Sequence, residues 1–458
     1  MQKTWQYLRD ISQSIIVESI YLLLSISLPC KKHGNFLRQE EQQEKSKGYA
    51  KKCSIKSQHT RALANSKILA PESAIIPELF LASSRISMPN KKILITGGAG
   101  YIGSHANALL NALGFDTIVL DSLVYGHKQA LHYAPLPNAN TSLLESLAAS
   151  SMTISTNISL GGGRSDVASD LDVAHTRTTF IHADLHDTSA LESIFSTYQI
   201  QAVMHFAAFA YVGESVKDPS KYYHNNIANS LNLLESMRKA NIKNIIFSST
   251  CATYGNPLHL PITESHPQNP INPYGYSKLV VENMLKDFSH AYGINYVILR
   301  YFNAAGASML FNIGESHSPE THLIPLLLQT ALGQRECLSI YGDDYPTNDG
   351  SCIRDYIHID DLANAHILAL KYLLNGGKSE AFNLGNGSGF SIFELLECAS
   401  RLCGRQIPYT IESRREGDPA VLIGDSTKAQ QILGWNPLFA DIETILSSAL
   451  AWHSSPRY

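Results

Sequence analysis

The chain contains no C-x-x-C pair, and its seven cysteines fall singly at positions 30, 53, 251, 337, 352, 398 and 403. An odd, scattered set argues against a disulfide framework or a thiolate zinc site and fits a reducing cytoplasm. Charge is scarce as well: Asp, Glu, Lys and Arg make up 17% of the sequence, and the formal net charge is -4. Neither nucleic acid nor an anionic membrane is an expected partner, because both require dense positive charge. None of the 18 histidines sits in H-E-x-x-H, so no metal is expected. The apolar run Ile15 to Leu28 is interrupted by Glu18 and is shorter than the roughly 20 residues of a spanning helix, which argues against a membrane anchor.

What is present is 44% hydrophobic residues over 458 positions, enough for one large core or two smaller ones. The beginning stands apart. Lys31 to Lys67 is polar and basic without apolar periodicity. Met88 directly precedes Pro89-Asn90-Lys91-Lys92 and the first strand, where an independent protein of this kind would start. Residues 1–87 therefore read as an upstream extension or a misassigned start, outside the fold.

From Lys91 onward, short β-branched or apolar runs alternate with helical stretches, which predicts an α/β fold with a doubly wound parallel sheet. The strands are Lys92–Thr96, Thr117–Leu120, Thr179–Ala183, Ala202–Phe206, Asn244–Ser248 and Asn295–Arg300, six as in a complete dinucleotide-binding sheet. Between the last two, Val280, Val281, Met284, Leu285 and Phe288 form one helical stripe. Residues 138–178, rich in Ser, Ala, Thr, Gly and Asn, read as a partly disordered surface insertion. The expected organisation is a Rossmann domain over 88–301 and a smaller substrate-binding lobe over 302–458, with 350–375 returning to the Rossmann domain.

Strand one runs into Gly97-Gly98-Ala99-Gly100-Tyr101-Ile102-Gly103 and then into a helix. Gly97 permits the tight turn, Gly100 lets a pyrophosphate approach the backbone, and Gly103 lets helix and strand pack closely. The second strand leads to Asp121, 18 residues past Gly103, placed to accept hydrogen bonds from adenosine ribose hydroxyls. A carboxylate there disfavours a 2′-phosphate, so NAD is the expected cofactor. No Lys follows the glycines, which excludes an ATP-type phosphate loop.

Strand five ends in Ser248-Ser249-Thr250-Cys251-Ala252-Thr253-Tyr254-Gly255, and Pro273-Tyr274-Gly275-Tyr276-Ser277-Lys278 follows. Tyr274 and Lys278 are four apart at a helix start and share a face. A phenol of ordinary pKa about 10 is a poor base near neutrality, but a neighbouring ammonium and a cationic nicotinamide favour the phenolate. The Thr250 hydroxyl is placed to share the substrate proton. Glu282, on the same helix, is expected to face solvent; His205 reads as a packed core histidine; Asp360-Asp361 at a helix start read as capping and dipole complementation.

Seven segments, Gly97–His105, Tyr211–Ser215, Ser248–Gly255, Tyr274–Lys278, Arg300–Asn303, Arg354–His358 and Arg414–Asp418, resemble the UDP-glucose 4-epimerase family, in order over about 360 residues. The resemblance implies reversible hydride transfer at sugar C4 through a 4-keto sugar, with Tyr274 as base, Thr250 as proton relay and Lys278 on the nicotinamide ribose. It places Gly97, Gly100, Tyr101, Ile102, Gly103, Asp121, Ser122, Asp184, Leu185, Phe206, Ala207, Ala208, Asn225 and Lys278 against NAD. Asn303, Arg354, Arg415 and Asp418, with Thr250 and Tyr274, fall against the UDP-sugar. A cytoplasmic homodimer is a family expectation. Three departures stand out: Ala210 replaces a Lys that touches a cofactor phosphate in some members, residues 138–178 are additional, and Leu422 stands where some members use a bulky Tyr to narrow the sugar pocket. The smaller side chain leaves N-acetylated sugars open as substrates, and pentose epimerisation also remains open. A dehydratase is disfavoured, because Cys251-Ala252 stand where it needs Asp-Glu. A non-catalytic NAD-binding protein is disfavoured by the intact Thr250/Tyr274/Lys278 set.

Overall fold

The computed structural model describes residues 91–136, 177–415 and 418–458. The extension over 1–87 and nearly all of the 138–178 insertion lie outside them. Seven strands form one parallel sheet: β1 Lys92–Thr96, β2 Thr117–Asp121, β3 Thr178–His182, β4 Ile200–His205, β5 Asn244–Thr250, β6 Asn295–Tyr301 and β7 Glu380–Leu384. Their spatial order is β7-β6-β5-β4-β1-β2-β3, in register Thr96 to Leu120 across β1–β2 and Thr96 to His205 across β1–β4. Six of these segments were expected from the sequence, within a residue or two at each end. The seventh was not, because β7 lies just beyond 350–375, the only part of 302–458 expected to return to the Rossmann domain.

The helices that matter here are α1 Tyr101–Ala112, α2 Thr188–Thr197, α3 Asn229–Lys239, α4 Pro273–Tyr292, α5 Leu323–Ala331, α6 Ile359–Leu374, α7 Ile392–Cys403 and α8 Ile442–Ser454. Strand side chains alternate between faces, and the sheet is apolar on both. Ile93, Ile95, Val119 and Leu299 join the core under α1 and α6, while Leu94, Ile118, Leu120 and Ile298 join the core under α2, α3 and α4. A third core unites α5, α7 and α8 through Leu327, Leu328, Leu395 and Leu446.

Local chemistry sets the ends of α4. Asn272 caps it by accepting the Gly275 N–H at 2.8 Å, Pro273 occupies its first turn, and Gly293 closes it at φ 66°. Asp360 and Asp361 stand in the first turn of α6, where they complement its dipole, but they do not cap it. The α6 cap is the His358 side chain, which accepts the Asp360 N–H. The two carboxylates are buried and bind other segments: Asp360 takes the Met309 N–H at 2.7 Å, and Asp361 takes those of Leu438 and Phe439, both at 2.8 Å. They stitch remote loops to the helix, which no local pattern can announce. No helix among the described residues is long and apolar enough to cross a membrane.

Candidate active site

The carboxyl ends of β1, β2, β4, β5 and β6 open onto a cavity of about 500 Å³, where ligands bind in open parallel sheets. At its floor the glycine turn is fixed by packing. Gly97 has φ +73°, and a Cβ there would stand 2.5 Å from the Ala207 nitrogen. A Cβ on Gly103 would stand 2.3 Å from the Gly97 oxygen, so that helix and turn touch main chain to main chain. At Gly100 the same atom would meet only the Gly97 oxygen, at 3.4 Å, which leaves this side open. Gly100 is also the N-cap of α1 and offers no side-chain cap, so the first N–H groups of the helix are left for an anion. Asp121 accepts the N–H groups of Ala99 at 2.9 Å and Leu123 at 2.8 Å, and still lines the cavity. Burial raises its carboxyl above the ordinary value, while those two N–H groups act in the opposite sense.

Thr250, Tyr274 and Lys278 all line this cavity. The Tyr274 side chain is 9% exposed. Burial, and after it the nearby Tyr301, holds its phenol well above the ordinary value, and the Thr250 hydroxyl opposes them. Lys278 Nζ donates to the Ser248 carbonyl at 2.8 Å. Burial lowers this ammonium to about 7, and Glu282 one turn on opposes the shift. Removal from water thus favours the neutral phenol. Burial also pushes the Cys251 thiol up to about 12, which leaves it a poor nucleophile.

Behind the wall lies a network not foreseen from the sequence. Glu282 is fully buried, not solvent-facing, and its carboxylate accepts Arg300 through Nε at 3.0 Å and Nη2 at 2.7 Å. Ser249 and Gln268 donate to the same carboxylate at 2.6 and 2.9 Å. Arg300 Nη1 donates to Tyr254, whose hydroxyl donates to Asn383 of β7. The pairing joins positions 18 apart in the chain and is satisfied by planar, bidentate geometry. His205 is the core histidine expected, bonded to Thr96 at 2.7 Å and Ser230 at 2.8 Å.

All the cofactor-side residues inferred from the sequence, Gly97 through Asn225, line this one cavity with Thr250, Tyr274 and Lys278. On the substrate side, Asn303, Asp418 and Leu422 reach its wall, whereas Arg354 and Arg415 do not. Arg354 Nη2 is bound to Asp418 at 2.7 Å, and the Arg415 guanidinium lies 3.9 Å from the centroid of the Tyr341 ring. Asn303 donates to the Asp355 carbonyl at 2.9 Å. Tyr301, paired with Ser248 at 2.7 Å, also lines the cavity and was missed. Its position beside Arg300 at a strand end was the available signal.

A glycine turn under a helix start, an acidic end to the second strand and Tyr-x-x-x-Lys in one cavity define a dinucleotide-dependent enzyme of the extended short-chain type. The sequence profile described as "NAD dependent epimerase/dehydratase family" matches residues 93–385, and the chain belongs to that family. It is similar to a UDP-glucose 4-epimerase of Halalkalibacterium halodurans, with 49% identity over 79% of this chain and 95% of the relative. The fold is similar to UDP-glucose 4-epimerase from Brucella ovis in complex with NAD, at TM-score 0.67 and 42% identity, over 79% of this chain and 98% of the other. It is also similar to the enzyme from Bifidobacterium longum in complex with NAD+ and UDP, at TM-score 0.67 and 34% identity, over 80% and 99% of the two chains.

Proposed function

We propose that the chain is a UDP-glucose 4-epimerase, interconverting UDP-glucose and UDP-galactose with NAD as its cofactor. The observation that carries this reading is the meeting of Thr250, Tyr274 and Lys278 with the glycine turn in a single cavity. The cradle fits the cofactor: the turn is open at Gly100, the N–H groups at the start of α1 are uncapped, and Asp121 stands at the far end for a ribose. The chemistry NAD would supply when bound is reversible hydride acceptance from sugar C4. Tyr274 removes the C4 hydroxyl proton and later returns it, and Thr250 relays that proton. Lys278 anchors the ribose and adds positive charge. It gives one N–H to the Ser248 carbonyl, which leaves two for the ribose and the phenol. Gly97, Gly103, Tyr101, Ile102, Ser122, Asp184, Leu185, Phe206, Ala207, Ala208 and Asn225 shape the dinucleotide groove. Asn303, Arg354, Arg415 and Asp418 hold the UDP moiety, and Arg354 exchanges Asp418 for the diphosphate.

The deciding experiment feeds UDP-galactose to the purified chain and identifies the product sugar; the absence of UDP-glucose would sink the reading. Leu422 on the cavity wall supports turnover of UDP-N-acetylglucosamine as well. Parallel incubations with that nucleotide sugar and with UDP-xylose settle the range. A cytoplasmic homodimer belongs to the same reading, and sedimentation at the mass of one chain would remove it.

A further inference from the structure

One cluster on the cavity rim has no part in hydride or proton transfer. Between strand six and α5, four side chains turn inward from one short loop: Glu315, His317, Glu320 and His322. Each offers one ligand atom, and all four atoms lie within 4.8 Å of one another. His317 Nδ1 is 3.2 Å from Glu315 and 3.7 Å from Glu320. His322 Nδ1 is 3.0 Å from Glu315 and 2.9 Å from Glu320.

These lengths can be set against a coordination polyhedron. With ligands about 2.1 Å from a zinc-class ion, the edge of a tetrahedron is about 3.4 Å. The four His–Glu separations, 2.9 to 3.7 Å, bracket that value, with Glu320 turning Oε2 toward His317 and Oε1 toward His322. His317 Nδ1 is shut off from solvent and has no hydrogen-bond partner, despite lying against two carboxylates. The Tyr211 hydroxyl is buried without a partner too, and its ring stands 6.2 Å from both imidazole rings. The loop that carries them is braced by main-chain N–H groups of its own and by one side chain of α8. Glu320 Oε1 accepts the N–H groups of Thr321 and His322 at 2.7 and 2.8 Å, and the Glu315 carbonyl accepts Trp452 Nε1 at 2.8 Å. Ligands fixed by such bonds need little reorganisation to receive an ion.

We propose that Glu315, His317, Glu320 and His322 form a tetrahedral binding site for one divalent cation of the zinc class. Two imidazoles with two carboxylates suit a borderline ion better than calcium or magnesium, which take six or more oxygen ligands. Four protein ligands close the coordination sphere, so the ion is structural. His322 is the N-cap of α5, and the next residues, Leu323 and Ile324, line the cavity. The ion would therefore pin that wall of the sugar end to the loop before it.

The test uses the full chain with its cofactor retained, stripped by a chelator and titrated with Co²⁺, then with Zn²⁺ under equilibrium dialysis. The expected result is about one ion per chain, intense tetrahedral d–d absorption without a thiolate charge-transfer band, and affinity lowered about 10–100-fold in Glu320→Gln and His317→Ala. The wild-type spectrum needs no variant, so a misfolded mutant does not spare the proposal. Three outcomes overturn it: no cobalt spectrum, which makes the cluster a plain imidazolium–carboxylate quartet; a thiolate band, which places the ion on cysteine; or undiminished affinity in Glu320→Gln.

Discussion

The two ends of the cavity are made by different means. At the dinucleotide end the surface is main chain: Gly97 and Gly103 lie against neighbouring backbone, and α1 begins without a side-chain cap. Behind the wall of the proposed sugar end, Arg354 is bound to Asp418 and Arg415 lies over the Tyr341 ring. The first surface exists before any ligand arrives. On the proposed reading the second exchanges internal partners for external ones, and part of the binding free energy goes into breaking them. Shape that comes from backbone packing is permanent, whereas shape that comes from long charged side chains is conditional.

The largest expected effect falls where the two ends meet. Tyr274→Phe removes the one hydroxyl both ends depend on and should lower UDP-galactose turnover about 10³-fold, with bound NAD retained. Near-wild-type turnover would show that the cavity works by another route. At the dinucleotide end, Gly97→Ala forces a Cβ against Ala207 at a positive φ. It should cost about 2–4 kcal/mol of stability in denaturant titration and deplete bound NAD. Gly114→Ala is the control: its φ is also positive, but the added atom meets nothing within 4 Å, so a loss near about 1 kcal/mol is expected. Equal losses would mean that close backbone packing is not what shapes the turn.

Lys278→Met should split function from stability. The ammonium falls to about 7 in the fold against an ordinary 10.5. A base depressed in this way binds fewer protons folded than unfolded. The cost of burying its charge is therefore complete below pH 7 and fades as pH climbs toward 10.5. The variant should lose activity yet gain about 1–3 kcal/mol in the cofactor-free chain at neutral pH, and this gain should shrink in alkaline buffer. A lower Tm at pH 7 would show that the Ser248 hydrogen bond outweighs the buried charge. The smallest effect belongs to the sugar end. Arg354→Met should raise KM for UDP-sugars about tenfold, equivalent to about 1.4 kcal/mol, and leave NAD content alone. Lost NAD would break the division between the ends.

The same division governs what can be read from the amino-acid order. Gly97 to Gly103 and Tyr274 with Lys278 act at short separations inside one turn or helix, so their spacing discloses them. Most strand ends were legible because β-branched runs alternate faces within a few residues. Glu282 was not: on α4 it looks like any polar helix residue, and its burial depends on Arg300 from β6 and Ser249 from β5. β7 pairs with β6 from about 80 positions further along, Phe382 opposite Leu299. The quartet of Glu315, His317, Glu320 and His322 follows no helical or strand spacing, because an irregular loop folds it inward.

Glu282 ends up as a knot. Through its two oxygens it holds Ser249 of β5, Arg300 of β6 and Gln268 ahead of α4, and through Arg300 and Tyr254 it reaches Asn383 of β7. The helix carrying the phenol cannot fray on its own without stranding a charge in apolar surroundings. In native-state hydrogen exchange, amides around Lys278 and those of the central strands should open together at the global unfolding free energy, a cooperative unit rather than a separate flap.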